Sequence, residues 1–378
     1  MAIIIKAGIF CINVLYFFMK LLPTKNKVTM MSRQSSHETM DFRLLREEIE
    51  RRNENVKVVV LCKELKDGIK STIIDKIKYI FHMLVQMYHL ATSKVVILDS
   101  YCMVVSILKH KKELKIIQMW HSMGTMKLFG YAVLDKEEGS KSSIAKLMKM
   151  HKNYDYIFAS NEAYKDHLAR GFNYTKDNIL TFPLPRLDLL ISKEYDNEQK
   201  EKIYEVYPGL KSKKNIVYCP TFRKNEDEFA IKVKELIDNV DLEKYNLIIK
   251  LHPLSKVNEL EVKDGVYFDK KFSSFDMLCV ANYLISDYSC IIYEAAIKNI
   301  PLYFYNFDMD HYEVGRGLAI DYYKELPGPI NKDAKELLNS IENKEYDMIK
   351  LKKFKDKYVY DTKHASKDII DFVWKFIK

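Results

Sequence analysis

Short apolar runs alternate with amphipathic stretches through almost the whole chain, and this alternation limits the fold more than any other feature. "KVTMMS" (27–32), "VKVVVLC" (56–62), "SKVVILD" (93–99), "LKIIQMW" (114–120), "YDYIFAS" (154–160) and "NILTFP" (178–183) read as strands. Segments between them, such as "ETMDFRLLREEIERR", space their apolar residues as helices do. Strand and helix in alternation imply parallel sheets covered by helices on both faces. The pattern breaks after Pro183 and Pro185, in the charged stretch 188–214. It restarts at "NIVYCPTF" (215–222), "YNLIIKLHP" (245–253), "GVYFD" (265–269), "ANYLISD" (281–287) and "IPLYFYN" (300–306). The expected fold is therefore α/β, two doubly wound Rossmann-like domains in tandem. At 378 residues the chain is long enough for both.

The first 23 residues, "MAIIIKAGIFCINVLYFFMKLLP", stand outside this pattern, with the length and apolarity of a membrane segment. Lys6 lies inside the apolar run and no small-residue cleavage site follows, which argues against a signal peptide. Lys6, Asn13 and Lys20 fall seven apart and would form one narrow polar stripe on a helix. Such a stripe favours a helix lying in a membrane interface over a span or a buried core helix. The expected division is 1–24 interfacial helix, 25–195 first domain and 196–378 second domain.

Charge is uneven. Residues 1–190 carry 30 Lys and Arg against 19 Asp and Glu, whereas the remainder is close to neutral. A basic front half suits an anionic partner, and the absence of an aromatic–basic reader motif turns that expectation from nucleic acid to a lipid surface. Lys141, Lys146, Lys149 and Lys152 are the expected headgroup contacts. Six scattered cysteines without CxxC spacing suit reduced thiols, with neither a disulfide framework nor a zinc site.

Ligands of doubly wound sheets bind beyond the carboxyl ends of the strands. The residues in those places are His121 after 114–120; Thr221, Phe222 and Arg223 after 215–220; His252 and Pro253 after 245–251; and Ser286, Asp287, Tyr288 and Ser289 after 281–285. Ser286 would cap the following helix, and the hydroxyls of Ser286 and Ser289 beside free backbone amides would suit a phosphate. Arg223 would supply a bidentate cation. His252 would donate a hydrogen bond or balance phosphate charge. Each of these residues alone has an ordinary structural reading, and their shared placement carries the argument. No GxGxxG, P-loop, GxSxG or HExxH is present, and no metal or cofactor is expected. Asp308 and Asp310 in "FYNFDMDH" have a DxD spacing, but they lie far along the second domain for a metal site.

"WHSMGTMKLFG", "YCPTFR", "IIKLHPL", "ISDYSCIIYEAAIKNIPLYFYNFDMDHY" and "GLAIDYYKELPGPI", in this order, resemble the CDP-glycerol glycerophosphotransferase family, as does "LLPTKNKVTMMS" near the start. The chain departs from the family pattern at Ser122, where glycine is usual, and at Cys290, where a second serine is usual. The resemblance implies a metal-independent B-type glycosyltransferase architecture, peripheral on the cytoplasmic face of the membrane. It also implies transfer of glycerol phosphate from CDP-glycerol to a hydroxyl of a lipid-linked glycan or polyol-phosphate acceptor, with release of CMP, in teichoic acid, capsule or similar polymer synthesis. Carried over by motif, His121 is the general base. Arg223, His252, Ser286, Asp287 and Ser289 hold the donor's pyrophosphate. A single-unit transfer is favoured over polymerisation. The rival expectations are a CDP-ribitol donor, a sugar-nucleotide glycosyltransferase of the same fold, and a basic binding module without activity.

Overall fold

The structure, a computed structural model, describes residues 2–377 except 65–71, 138, 224, 252–254, 256, 258–262, 311–316, 344 and 360–361. The chain divides into two compact units. The first comprises Met1–Ser122, Phe129–Asp188 and Thr362–Lys378; the second comprises Met123–Leu128 and Leu189–Asp361.

The first unit is built on six parallel strands: β1 (Lys25–Ser32), β2 (Lys57–Cys62), β3 (Ser93–Leu98), β4 (Lys115–Gln118), β5 (Tyr156–Ala159) and β6 (Ile179–Thr181). Their order is β2-β1-β3-β4-β5-β6, a doubly wound arrangement whose direction of winding reverses between β1 and β3. Val95, Val96, Ile97 and Leu98 of β3 are wholly buried, as expected of a central parallel strand covered on both faces.

The second unit repeats the scheme with β7 (Lys214–Cys219), β8 (Tyr245–Ile249), β9 (Val266–Phe268), β10 (Tyr283–Ser286), β11 (Leu302–Tyr305) and β12 (Ile330–Asn331). The order β12-β11-β10-β7-β8-β9 is that of a dinucleotide-binding sheet, 3-2-1-4-5-6 read from β9 to β12. It reverses between β7 and β10. Eleven of these twelve strands lie where the apolar runs predict them. β12, two residues long, has no pattern to read.

A single cut at 195/196 does not describe the division into units. Helix Ala365–Ile377 belongs to the first unit, where Arg52 pairs with Asp371 at 2.8 Å and the Asp188 carboxylate accepts from the amides of Ala365 and Ser366. Chain order gives no sign of this return, because the partners lie more than 170 residues apart.

Helix Ala2–Met19 docks on the first unit through Tyr16, which is fully buried and hydrogen-bonded to His110 at 3.0 Å. His110 donates from Nε2 to the Val105 carbonyl, so its Nδ1 accepts from the tyrosine. Asn13 adds bonds to the Ile107 carbonyl and the Lys109 amide. The Asn13 member of the polar stripe therefore faces the protein, while the apolar residues are left outside. A core position is excluded, since Ile3, Ile4, Phe10, Phe17 and Phe18 are exposed. By length and composition this helix could cross a membrane.

Candidate active site

In the first unit, the carboxyl edge of the sheet gathers His121, Asp99 and an Asp41–Arg186 pair. β4 ends at Gln118, whose side chain is buried and works in two directions. Its Oε1 accepts from the Trp120 amide at 2.9 Å, and its Nε2 donates to the Ser100 carbonyl at 3.2 Å. The chain then turns through Trp120 at φ +67°, a left-handed conformation that costs a bulky residue about 1–3 kcal/mol. The indole stacks at 4.2 Å against His121 and at 4.4 Å against Phe129. Gly130, at φ +55°, passes so close to the Gly171 carbonyl that a Cβ would lie 2.2 Å from it. Only glycine lets the loop close over this cluster.

The His121 Nδ1 lies 3.1 Å from the Asp99 backbone carbonyl. A carbonyl only accepts, so Nδ1 carries the proton and Nε2 keeps the lone pair. Burial lowers the His121 pKa from its ordinary value; the Asp99 carbonyl opposes that shift and the nearby Arg186 adds to it. The ring is therefore a neutral imidazole at pH 7. Arg186 is itself held by Asp41, with Nη2 2.5 Å and Nε 3.0 Å from Oδ2. The Asp99 carboxyl is buried and pushed up to about 6 by that burial, against hydroxyls of Ser32 and Ser100 that favour its charge. Its Oδ1 is sealed from solvent with no hydrogen-bond partner.

Sequence reasoning named His121 but missed Asp99, Asp41 and Arg186. Asp99 ends the run "SKVVILD", so the strand-end rule that found His121 would have found it too. The Asp41–Arg186 contact spans 145 residues and has no local signal.

The second unit closes its own reversal point with a saturated ionic cluster. Arg223 is 7% exposed. Its Nη1 lies 2.7 Å from Asp287 Oδ2, its Nε lies 2.7 Å from Asp308 Oδ2, and the rings of Tyr288 and Phe307 flank it. Burial works against its charge, and the two carboxylates more than offset that, so the guanidinium stays protonated. The Asp287 carboxylate also accepts from the amide and hydroxyl of Thr221 and from the Tyr288 amide. Asp308 accepts from Tyr288 Oη at 3.1 Å.

This arrangement changes two expectations, those for Arg223 and Ser286. Arg223 and Asp287 bind each other, so the guanidinium is not an open fork for a phosphate. Ser286 is fully buried and donates to the Cys219 carbonyl at 2.8 Å, tying β10 to β7. It does not cap the next helix, which begins at Ile291, five residues on. Asp308 and Asp310 make separate ion pairs, with Arg223 and Lys332 respectively. Ser289 lies in the turn and accepts from the Ile291 amide at 3.4 Å. His252 lies outside the described residues. A cation that sequence reasoning overlooked stands here: Lys127, from the short segment Met123–Leu128, donates to Thr221 Oγ1 at 3.4 Å.

Two parallel six-stranded sheets with polar and titratable groups at their carboxyl edges define a class by architecture, the proteins of two doubly wound Rossmann-like units. The solved wall teichoic acid polymerase TagF has the same fold, with a TM-score of 0.76 at 20% identity over 100% of this chain and 97% of that one. Within that class, the model of the CDP-glycerol:poly(glycerophosphate) glycerophosphotransferases matches residues 14–375, and the chain belongs to this family. It is 29% identical to a teichoic acid ribitol-phosphate primase of Bacillus spizizenii, over 94% of this chain and 93% of the relative. It is 27% identical to a teichoic acid glycerol-phosphate primase of Bacillus subtilis, over 98% and 97%. The family is thus one of teichoic acid phosphotransferases, with members named for each of two polyols.

Proposed function

We propose that the chain transfers glycerol phosphate from CDP-glycerol to a hydroxyl of a lipid-linked acceptor at the cytoplasmic face of the membrane, releasing CMP. The observation that carries this reading is His121, neutral, with Nδ1 committed to the Asp99 carbonyl and Nε2 left as the proton acceptor. In the proposed step the acceptor O–H gives its proton to Nε2 while its oxygen attacks the phosphorus bearing glycerol. The bond between that phosphorus and the bridging oxygen breaks, and CMP leaves with the bridging oxygen. Chemistry of this kind rests on positioning and charge stabilisation more than on covalent participation.

The second unit takes the CDP moiety in this scheme. Arg223, Asp287 and Asp308 position the loops after β7 and β10, and Ser286 joins the two strands. Lys127 and the Ser289 hydroxyl then supply contacts to the leaving phosphate, with His252 as a further donor from motif resemblance. The 29% identity with a ribitol-phosphate primase supports CDP-ribitol as the second reading.

The test is incubation with a lipid-linked acceptor and, in turn, CDP-glycerol, CDP-ribitol and UDP-sugars. CMP release with CDP-glycerol is expected. CMP from CDP-ribitol alone would move the donor to ribitol, and UDP release without CMP would overturn the reaction class.

A further inference from the structure

A groove in the first unit lies between helix Ala2–Met19 and helix Ser142–Leu147 and is not used by the chemistry above. Its volume is about 590 Å³. Ile5, Ile9, Ile144 and Leu147 give it an apolar lining, to which Lys6, Lys146 and Lys149 also contribute. None of these three ammonium groups has a carboxylate partner among the described residues. Apolar walls give a hydrophilic anion nothing to bind, and unpaired lysines give an uncharged hydrocarbon nothing to bind. A molecule that is anionic at one end and apolar at the other satisfies both.

The surroundings fit such an occupant. Ile3, Ile4 and Phe10 leave the docked helix bare on the side away from Tyr16. The neighbouring helix Ile73–Thr92 exposes Ile73 (75%), Ile77 and Phe81 (64%) at helical spacing on one face. Exposed apolar surface of this extent, beside lysines, is what a chain resting on a bilayer leaves uncovered in isolation.

We infer that the groove is a binding site for a lipid phosphate of the membrane leaflet, its chain against Ile5, Ile9 and Leu147 and its phosphate on Lys6, Lys146 and Lys149. This deepens the reading of a lipid-linked acceptor, and it rests on that reading for its purpose though not for its test. Calorimetric titration of the full chain, with no CDP donor present, compares dodecyl phosphate below its micellar concentration with inorganic phosphate. Saturable binding of dodecyl phosphate is expected, at least tenfold tighter than inorganic phosphate. It should weaken at least tenfold in the double variant K146E/K149E, whose exposed positions leave the melting temperature unchanged. Equal binding by the variant, or inorganic phosphate binding as tightly, would overturn the inference. Dodecyl phosphate binding without CMP release in the donor assay keeps the groove and removes the transferase reading. CMP release without dodecyl phosphate binding does the reverse.

Discussion

The two sheets reverse their winding in the same way, yet their reversal points differ in chemistry. In the first unit, the groups at the carboxyl edge are poised near neutrality: an imidazole kept neutral by burial and a carboxyl pushed up to about 6 with one oxygen unpartnered. In the second unit, the charged groups are mutually satisfied, with one arginine held by two aspartates, of which Asp287 also holds the amides of Thr221 and Tyr288. Groups with displaced titration and an open lone pair are suited to proton transfer, whereas charges already paired with one another are suited to holding loops in place. In the proposed scheme the first edge handles the proton and the second serves as a cradle.

The sharpest break of this contrast is His121→Ala. It should lower the rate of CMP release by about 10²–10⁴-fold in folded protein, because in the proposed scheme the ring moves a proton. A full-rate variant would move the base elsewhere. Arg223→Met should act on stability instead. Removing one partner strands Asp287 and Asp308 as buried, uncompensated charges, at a cost of about 3–5 kcal/mol in urea unfolding. Unchanged stability would mean that the cluster is not structural.

Asp99 offers a pH signature. Its folded pKa of about 6 lies above the ordinary 3.8, so the folded state keeps a proton that the unfolded chain has lost. Stability should therefore fall as pH rises from about 4 to 6, by up to about 3 kcal/mol at 1.36 kcal/mol per unit, and Asp99→Asn should flatten that window. A wild type that is flat across the window would contradict the assignment. Lys127→Ala is the smallest effect. Loss of a charge-assisted contact worth about 1.5–3 kcal/mol should reduce kcat/KM for the CDP donor roughly ten- to a hundredfold, with the melting temperature unmoved. Since burial lowers the His121 pKa, the acid limb of the wild-type rate profile should fall below pH 6.5.

Most of this architecture was legible in the chain. Parallel strands buried on both faces must be runs of apolar residues, and helices between them must show a 3.6-residue period, so eleven strands could be read directly. His121 was legible because it follows β4 where such sheets bind ligands. Arg223 and Asp287 were found by the same rule, which did not show that they pair with each other. A strand-end rule locates a side chain without saying what stands opposite it, and here that was another strand end 64 residues away.

The sequence by itself therefore determined the number and kind of layers, the places where chemistry could occur, and an apolar N-terminal helix. Each of these depends on periodicity over neighbouring residues. Only the tertiary structure decided that helix Ala365–Ile377 returns to the first unit, that Asn13 faces the protein, and that Lys127 reaches Thr221. It alone set the Asp99 carbonyl against His121 and spent the charge of Arg223 on two aspartates. Pairings of that sort depend on which strand ends the winding brings together, and hydrogen bonds and ion pairs act over a few ångströms of space whatever their separation along the chain.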